Sequence, residues 1–225
     1  MSRPDGEQAA PEEQPQAGWA ATEVSEEFPE LRLLCSQLRA RPTRRSPPAV
    51  RARLRLLSNR FSGARAVNLR REPVPAAYRV FFRHIGLDPD ITRPPGEAAV
   101  LERLLHGGFE ARSLLDDALL IALVETGVPL WALDRDRVDG PLGIRVARGG
   151  ESLGRQPEAP TLPQGRLVVA DASSALAVLF GDLAPGHGVG PETRAMTLYA
   201  VQVAGVPDIH VEEALWTCCS VLVGV

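Results

Sequence analysis

The chain has 225 residues, 44% of them hydrophobic and 24% charged, with a formal net charge of −3, enough for one large domain with its own core. It has no apolar run of about 18 residues and no basic start followed by an apolar segment, so neither membrane spanning nor export is expected. Three cysteines, two adjacent at Cys218 and Cys219, fit neither a disulfide framework nor a paired zinc spacing, which points to a reducing, cytoplasmic location.

Residues 1–18 are rich in Pro, Glu, Gln and Ala and hold little to bury, which predicts a disordered acidic lead-in, with residues 19–225 forming a single domain. Residues 19–38 start acidic and end in LRLLCSQL, a pattern that fits a short helix or an opening strand equally. Pro47 and Pro48 then open a helix whose Val50, Leu54, Leu57 and Phe61 recur every three or four residues, its other face being arginine. PVPAAYRVFFRHIG gives another helix, with Tyr78, Phe81, Phe82 and Ile85 as its stripe and Gly86 as its stop. In the next, Pro95 is near the start, Val100, Leu101, Leu104 and Leu105 form the expected buried face, and Gly107–Gly108 end it. SLLDDALLIALVETG reads as a central helix closed by Gly127. From there LWALD, LGIRVAR, RLVVAD, ALAVLF and MTLYAVQVAG read as strands, and VEEALWTCCSVLV as a final amphipathic helix. Helices, then strands, then one helix give an α+β fold with helices packed on a largely antiparallel or mixed sheet.

Charge is unevenly placed. All 25 basic residues are arginine, and twelve fall between Leu31 and Arg71 without one Asp or Glu. Such a block is either a solvated face and loop or a phosphate track; on the second reading Arg41, Arg44, Arg45, Arg51, Arg53 and Arg55 meet an RNA backbone, with affinity falling steeply as salt rises.

Several chemistries find no motif: there is no HExxH, no Walker loop and no GxSxG. His84, His106, His187 and His210 are far apart, so neither a metal nor any other cofactor is expected. Asp134, Asp136 and Asp139, alternating with Arg135 and Arg137, read as a solvated turn rather than an acid-base pair.

LLDDALLIALVETGVPLWALDRDRVDGPLGIRVARGGESL and GRLVVADASSALAVLFGDLAPGHGVGPETRAMTLYAVQVAGV resemble the tRNA-binding and editing domain, B-three/B-four, of the phenylalanyl-tRNA synthetase beta subunit. Shared are a Gly-x-Pro-Leu-x-Ala-x-Asp turn, an Arg-x-Ala strand before Gly-Glu, an Ala-Asp followed by an Ala-Leu-Ala strand, and a Glu-Thr before the last strand. RPPGEA at 93–98 is similar to an element of stand-alone members. The resemblance, covering roughly residues 78–210, implies an editing-domain-like fold and a free-standing protein that binds tRNA or aminoacyl-tRNA in translation quality control. It extends to hydrolysis of mischarged aminoacyl-tRNA in trans; charging of tRNA is not implied, because no aminoacylation module is recognisable.

The departures fall in the implied pocket. A histidine of the family pattern is replaced by Trp131, an acidic residue by Tyr199, and a glycine-rich turn by VLFGDLA with Gly181 retained. The resemblance assigns Arg93, Glu97, Pro129, Trp131, Ala132, Glu151 and Tyr199 to the pocket, while catalytic residues stay unassigned; His187, on a Gly-rich turn, is a candidate base. Trp131 is either a pocket wall able to stack on a base or side chain, or a core residue beside a turn. Two other classes stay open: an amino-acid or small-molecule binding protein without RNA or catalysis, and an interaction module docking its basic segment on an acidic partner. Oligomeric state is likewise open.

Overall fold

The computed structural model describes residues 14–61 and 63–224. In chain order the elements are β1 (Gln16–Ala17), β2 (Trp19–Ala20), α1 (Thr22–Glu27), β3 (Arg32–Arg39), α2 (Pro48–Arg60), α3 (Gly63–Asn68), α4 (Pro73–His84), α5 (Pro95–His106), α6 (Leu114–Thr126), β4 (Leu130–Asp134), β5 (Gly143–Val146), β6 (Leu167–Ala170), β7 (Ala175–Val178), β8 (Ala195–Gln202) and α7 (Asp208–Val223). The architecture is α+β with two four-stranded sheets, ordered β1-β3-β8-β4 and β2-β5-β6-β7. Among the described residues all strand pairs are antiparallel except β2 with β5.

Each start and stop has a local cause. Pro48, Pro73 and Pro95 begin α2, α4 and α5, where a missing N–H has no partner to lose. Ser113 caps α6 by accepting from the Asp116 amide, and Gly127 closes that helix in the left-handed region that a side chain disfavours. β6 is buried on both faces, which explains why LVVA is continuously apolar rather than alternating. Val169 belongs to the main core between the sheets and helices; Val168 and Ala170 belong to a smaller cluster with Ala147, Leu153 and Leu162.

Strands precede the helices as well as following them, because residues 19–38 supply β2, α1 and β3. β3 pairs with β8 along its whole length, Arg32 opposite Gln202 through Arg39 opposite Ala195. The expected lead-in lies outside the described residues for 1–13, while its last residues form β1. Residues 16–20 clip the sheets together: β1 joins β3 in one and β2 joins β5 in the other. Between them the Gly18 amide donates to Leu33 at 2.7 Å, and a Cβ on Gly18 would lie 2.5 Å from the Leu142 carbonyl oxygen.

α5 corrects the sequence reading. Of the expected apolar face only Val100 is buried; Leu101 and Leu104 are exposed, and Leu105 is 74% exposed. α5 packs against α3 and α6, and its Ala99 and Arg103 sides line the cleft described below, so the leucines turn outward.

Candidate functional site

A cleft of about 270 Å³ lies between α5, the start of α6 and β4, lined among others by Arg103, His106, Arg112, Asp116, Asp117 and Trp131. Its α6 end is organised by Asp117, a buried carboxylate on the apolar side of the helix. Asp117 accepts from Ser46 Oγ at 2.5 Å and from the Arg112 amide at 2.8 Å. The Leu114 amide donates to the Thr43 carbonyl at 3.1 Å. These bonds hold the arginine loop, residues 40–47, against the rim of the cleft.

Arg41, Arg44, Arg45, Arg51 and Arg55 are exposed on that loop and on α2, where residues 51 and 55 share one face by helical spacing. Arg53 points elsewhere. Its guanidinium forms a two-bond pair with Glu125 at 3.0 and 2.5 Å, a partner within the fold that the other five arginines lack among the described residues.

At the other end of the cleft lie Pro129, just before β4, and Trp131 on it. Trp131 and Tyr199 are register partners on adjacent strands, so the two departures from the family pattern face each other directly. Their rings stack at 5.5 Å with planes 12° apart, and Tyr199 is 2% exposed. Burial pushes the Tyr199 hydroxyl far above its usual pKa, and it pushes the thiol of Cys35, the register partner of Tyr199 on β3, up to about 12. The third departure, the turn after β7, adds Phe180, whose ring meets Trp131 at 5.7 Å and also Tyr78, Phe81 and Phe82 at 5.8, 5.8 and 5.1 Å. Phe180 has φ +60°, a conformation that costs a bulky side chain about 1–3 kcal/mol. Ring contacts of roughly 0.5–1.5 kcal/mol each are enough to offset that strain. Trp131, half-buried, is thus both core and wall, with Tyr199 as packing beneath it and Ala132 buried in the strand.

The remaining candidates do not converge on this place. Glu97 binds Arg79, whose Nη1 donates to both carboxylate oxygens at 3.0 and 2.8 Å. Arg93 is exposed in the turn before α5. Glu151 lies beside the second sheet, where Arg145 forms a two-bond pair with it and, together with the Arg148 amide, holds its carboxyl below the usual range despite burial. His187 is buried, with Nδ1 3.2 Å from the Pro185 carbonyl. Among the described residues no group of three or more His, Cys, Asp or Glu is placed to hold a metal ion, and no helix is long and apolar enough to cross a membrane.

Sequence reasoning missed Asp117, Ser46 and Phe180. Asp117 had a signal: it falls between Leu114 and Ile121 on a helix stripe that is otherwise apolar, which is where a carboxylate needs dedicated partners.

No protein-family model matches the chain. A phenylalanine-tRNA ligase beta subunit from Xanthomonas campestris pv. campestris is 39% identical over 104 residues, which is 44% of this chain and 12% of the relative. The beta subunit from Xylella fastidiosa is 37% identical over 86 residues, 38% of this chain and 10% of the relative. The chain is therefore homologous to a region of that subunit, and it spans about an eighth or less of the length of these relatives. A crystal structure of an N-terminal fragment of the phenylalanyl-tRNA synthetase beta subunit from Pyrococcus horikoshii aligns with a TM-score of 0.40 and 17% identity, covering 48% of this chain and 38% of that one.

Proposed function

We propose that the chain is a tRNA-binding domain that grips phosphates along Arg41, Arg44 and Arg45 and along the Arg51–Arg55 face of α2, with the neighbouring cleft at Trp131 receiving an unpaired nucleotide or the acceptor end. The observation that carries this reading is the attachment of the arginine loop to the rim of the cleft through Ser46, Asp117 and the Leu114 amide. A backbone held by the loop would deliver its adjoining nucleotide to an indole that offers a stacking surface. Homology to part of a tRNA ligase subunit supports the same partner.

Binding without ester hydrolysis fits the chemistry better than hydrolysis in trans. Glu97 and Glu151 are each engaged by an arginine, and rings occupy the positions of the family's polar pocket residues. A hydrolase needs a group to position water and donors aimed at the developing oxyanion, and none of the assigned residues is placed to do both.

The test is tRNA binding, bare and aminoacylated, across a salt series. Replacing Arg44, Arg45, Arg51 and Arg55 by Gln should weaken binding and lower the slope of log K against log salt by about 3, at about 0.7–0.9 per phosphate contact. Absence of binding by the parent chain at low salt would refute the reading. A second reading is favoured by the mixed charge of the cleft, whose lining includes Arg103, Glu110 and Asp116 beside the Arg112–Glu102 pair, a lining suited to a zwitterion such as an amino acid. On that reading free amino acids, rather than tRNA, raise thermal stability by linkage.

A further inference from the structure

The end of the first sheet carries a charged feature that the sequence reading did not single out. Arg39 lies opposite Ala195 on β8, and Asp134 lies opposite Met196 on the same strand. Arg135, one residue on, opens the turn that follows β4. Both arginines line one cleft of about 420 Å³ with Gln37, Asp136 and Met196. Neither guanidinium forms an ion pair with a described residue, whereas nearby Arg137 is 3.7 Å from Asp134. Arg135 makes one long bond, Nη1 to the Val138 carbonyl at 3.4 Å. Two guanidiniums outside any ion pair with a described residue, one from β3 and one from the turn after β4, thus line one cleft, and the arginine fork suits phosphate oxygens.

Position gives this pair a partner. Arg39 leads directly into Arg41, Arg44 and Arg45, and that loop is fixed at Thr43 and Ser46 to the rim of the α6 cleft. We propose that Arg39 and Arg135 form a second phosphate site for the same RNA, so that one backbone runs from the end of the sheet along the loop to the Trp131 cleft. This inference rests on the tRNA-binding reading above. Asp136, exposed in the same cleft, opposes the site and sets the sign of a second test.

The experiment is a salt series of tRNA binding with the full chain and two variants. Arg39→Gln with Arg135→Gln should lower the salt slope by about 1.4–1.8, two contacts at about 0.7–0.9 each, with the thermal midpoint unchanged. Asp136→Asn should act oppositely and tighten binding roughly two- to five-fold, the scale of one exposed charge interaction. If the parent and the Arg44/Arg45/Arg51/Arg55 variant differ as expected while the Arg39/Arg135 pair leaves affinity and slope untouched, the second site is overturned and the tRNA reading stands. If the parent binds no tRNA at any salt, the reading itself fails and this inference with it.

Discussion

Replacing Glu97 by Ala tests whether this residue serves the fold or a pocket. Arg79 is 8% exposed and has three bonds to carboxylates, two to Glu97 and one to Asp90 at 2.6 Å, with a longer one to the Pro89 carbonyl. Loss of Glu97 removes two of the three bonds at Nη1, leaving the long one to Pro89, and a hydrogen bond to a charged group contributes roughly 1.5–3 kcal/mol. Breaking a fully buried pair costs about 3–5 kcal/mol, but Asp90 remains and is largely exposed, so its partner keeps some solvation. The expected loss is about 2–3 kcal/mol, and in a domain of this size that lowers the melting temperature by about 4–12 °C. Calorimetry reads it directly. Pairing Glu97→Leu with Arg79→Met should restore much of the loss, because the two costs are coupled through one desolvated charge. tRNA affinity of the folded Glu97→Ala protein should equal that of the parent. An unchanged melting temperature accompanied by lost binding would refute the reasoning and return Glu97 to a recognition site.

Trp131→Ala should cost about 2–3 kcal/mol in urea unfolding, below the 3–5 of a fully buried ring because the indole is half-exposed, and Trp131→Phe should recover most of it. A loss near zero would show that the Tyr199 stack contributes nothing. For Glu151 the Arg145 hydrogen bonds hold the folded-state pKa below the unfolded value of about 4.3, so its contribution to stability is fully present above that pH and is lost as pH falls through the lower folded value. Glu151→Gln should therefore flatten the acid limb of the stability curve below about pH 4.5 while leaving Arg145 with a weaker partner at neutral pH. An acid limb identical to the parent's would sink the assignment.

How far the sequence showed this molecule depends on whether an element's neighbours leave a mark in it. α2, α4 and α6 were legible because apolar spacing agrees with the side each helix buries, reinforced by proline starts on α2 and α4 and glycine stops after α4 and α6. β3 was not, because its Leu33 and Leu38 are buried, five positions apart, with Leu34, Cys35 and Ser36 half covered and Gln37 exposed between them, which breaks the alternation a strand should show. The α5 leucines misled for the opposite reason: amphipathic spacing records that a helix has a face, and cannot record that α3 and α6 meet it on another side. In the site, Trp131 and Tyr199 were singled out as separate departures from a family pattern. Their contact needed the β4–β8 register, a property of pairing between residues far apart in the chain. Arg53 illustrates the same limit for charge, since its partner Glu125 belongs to α6 rather than to its own neighbourhood.

The clip formed by residues 16–20 has a consequence for how the molecule opens. Trp19 lies across from Gly143, and its indole N–H reaches the Pro141 carbonyl 122 positions away, so the contact closes a very long loop. Closing it carries an entropy penalty that grows with the logarithm of loop length, and little apolar area in two-residue strands offsets it. The β3–β8 ladder closes a longer loop still, but eight paired residues hold it, whereas the clip has two-residue strands; the clip is therefore expected to release first. A chain trimmed or proteolysed up to Ala20 would retain each sheet's internal pairing while losing the strap that fixes one against the other.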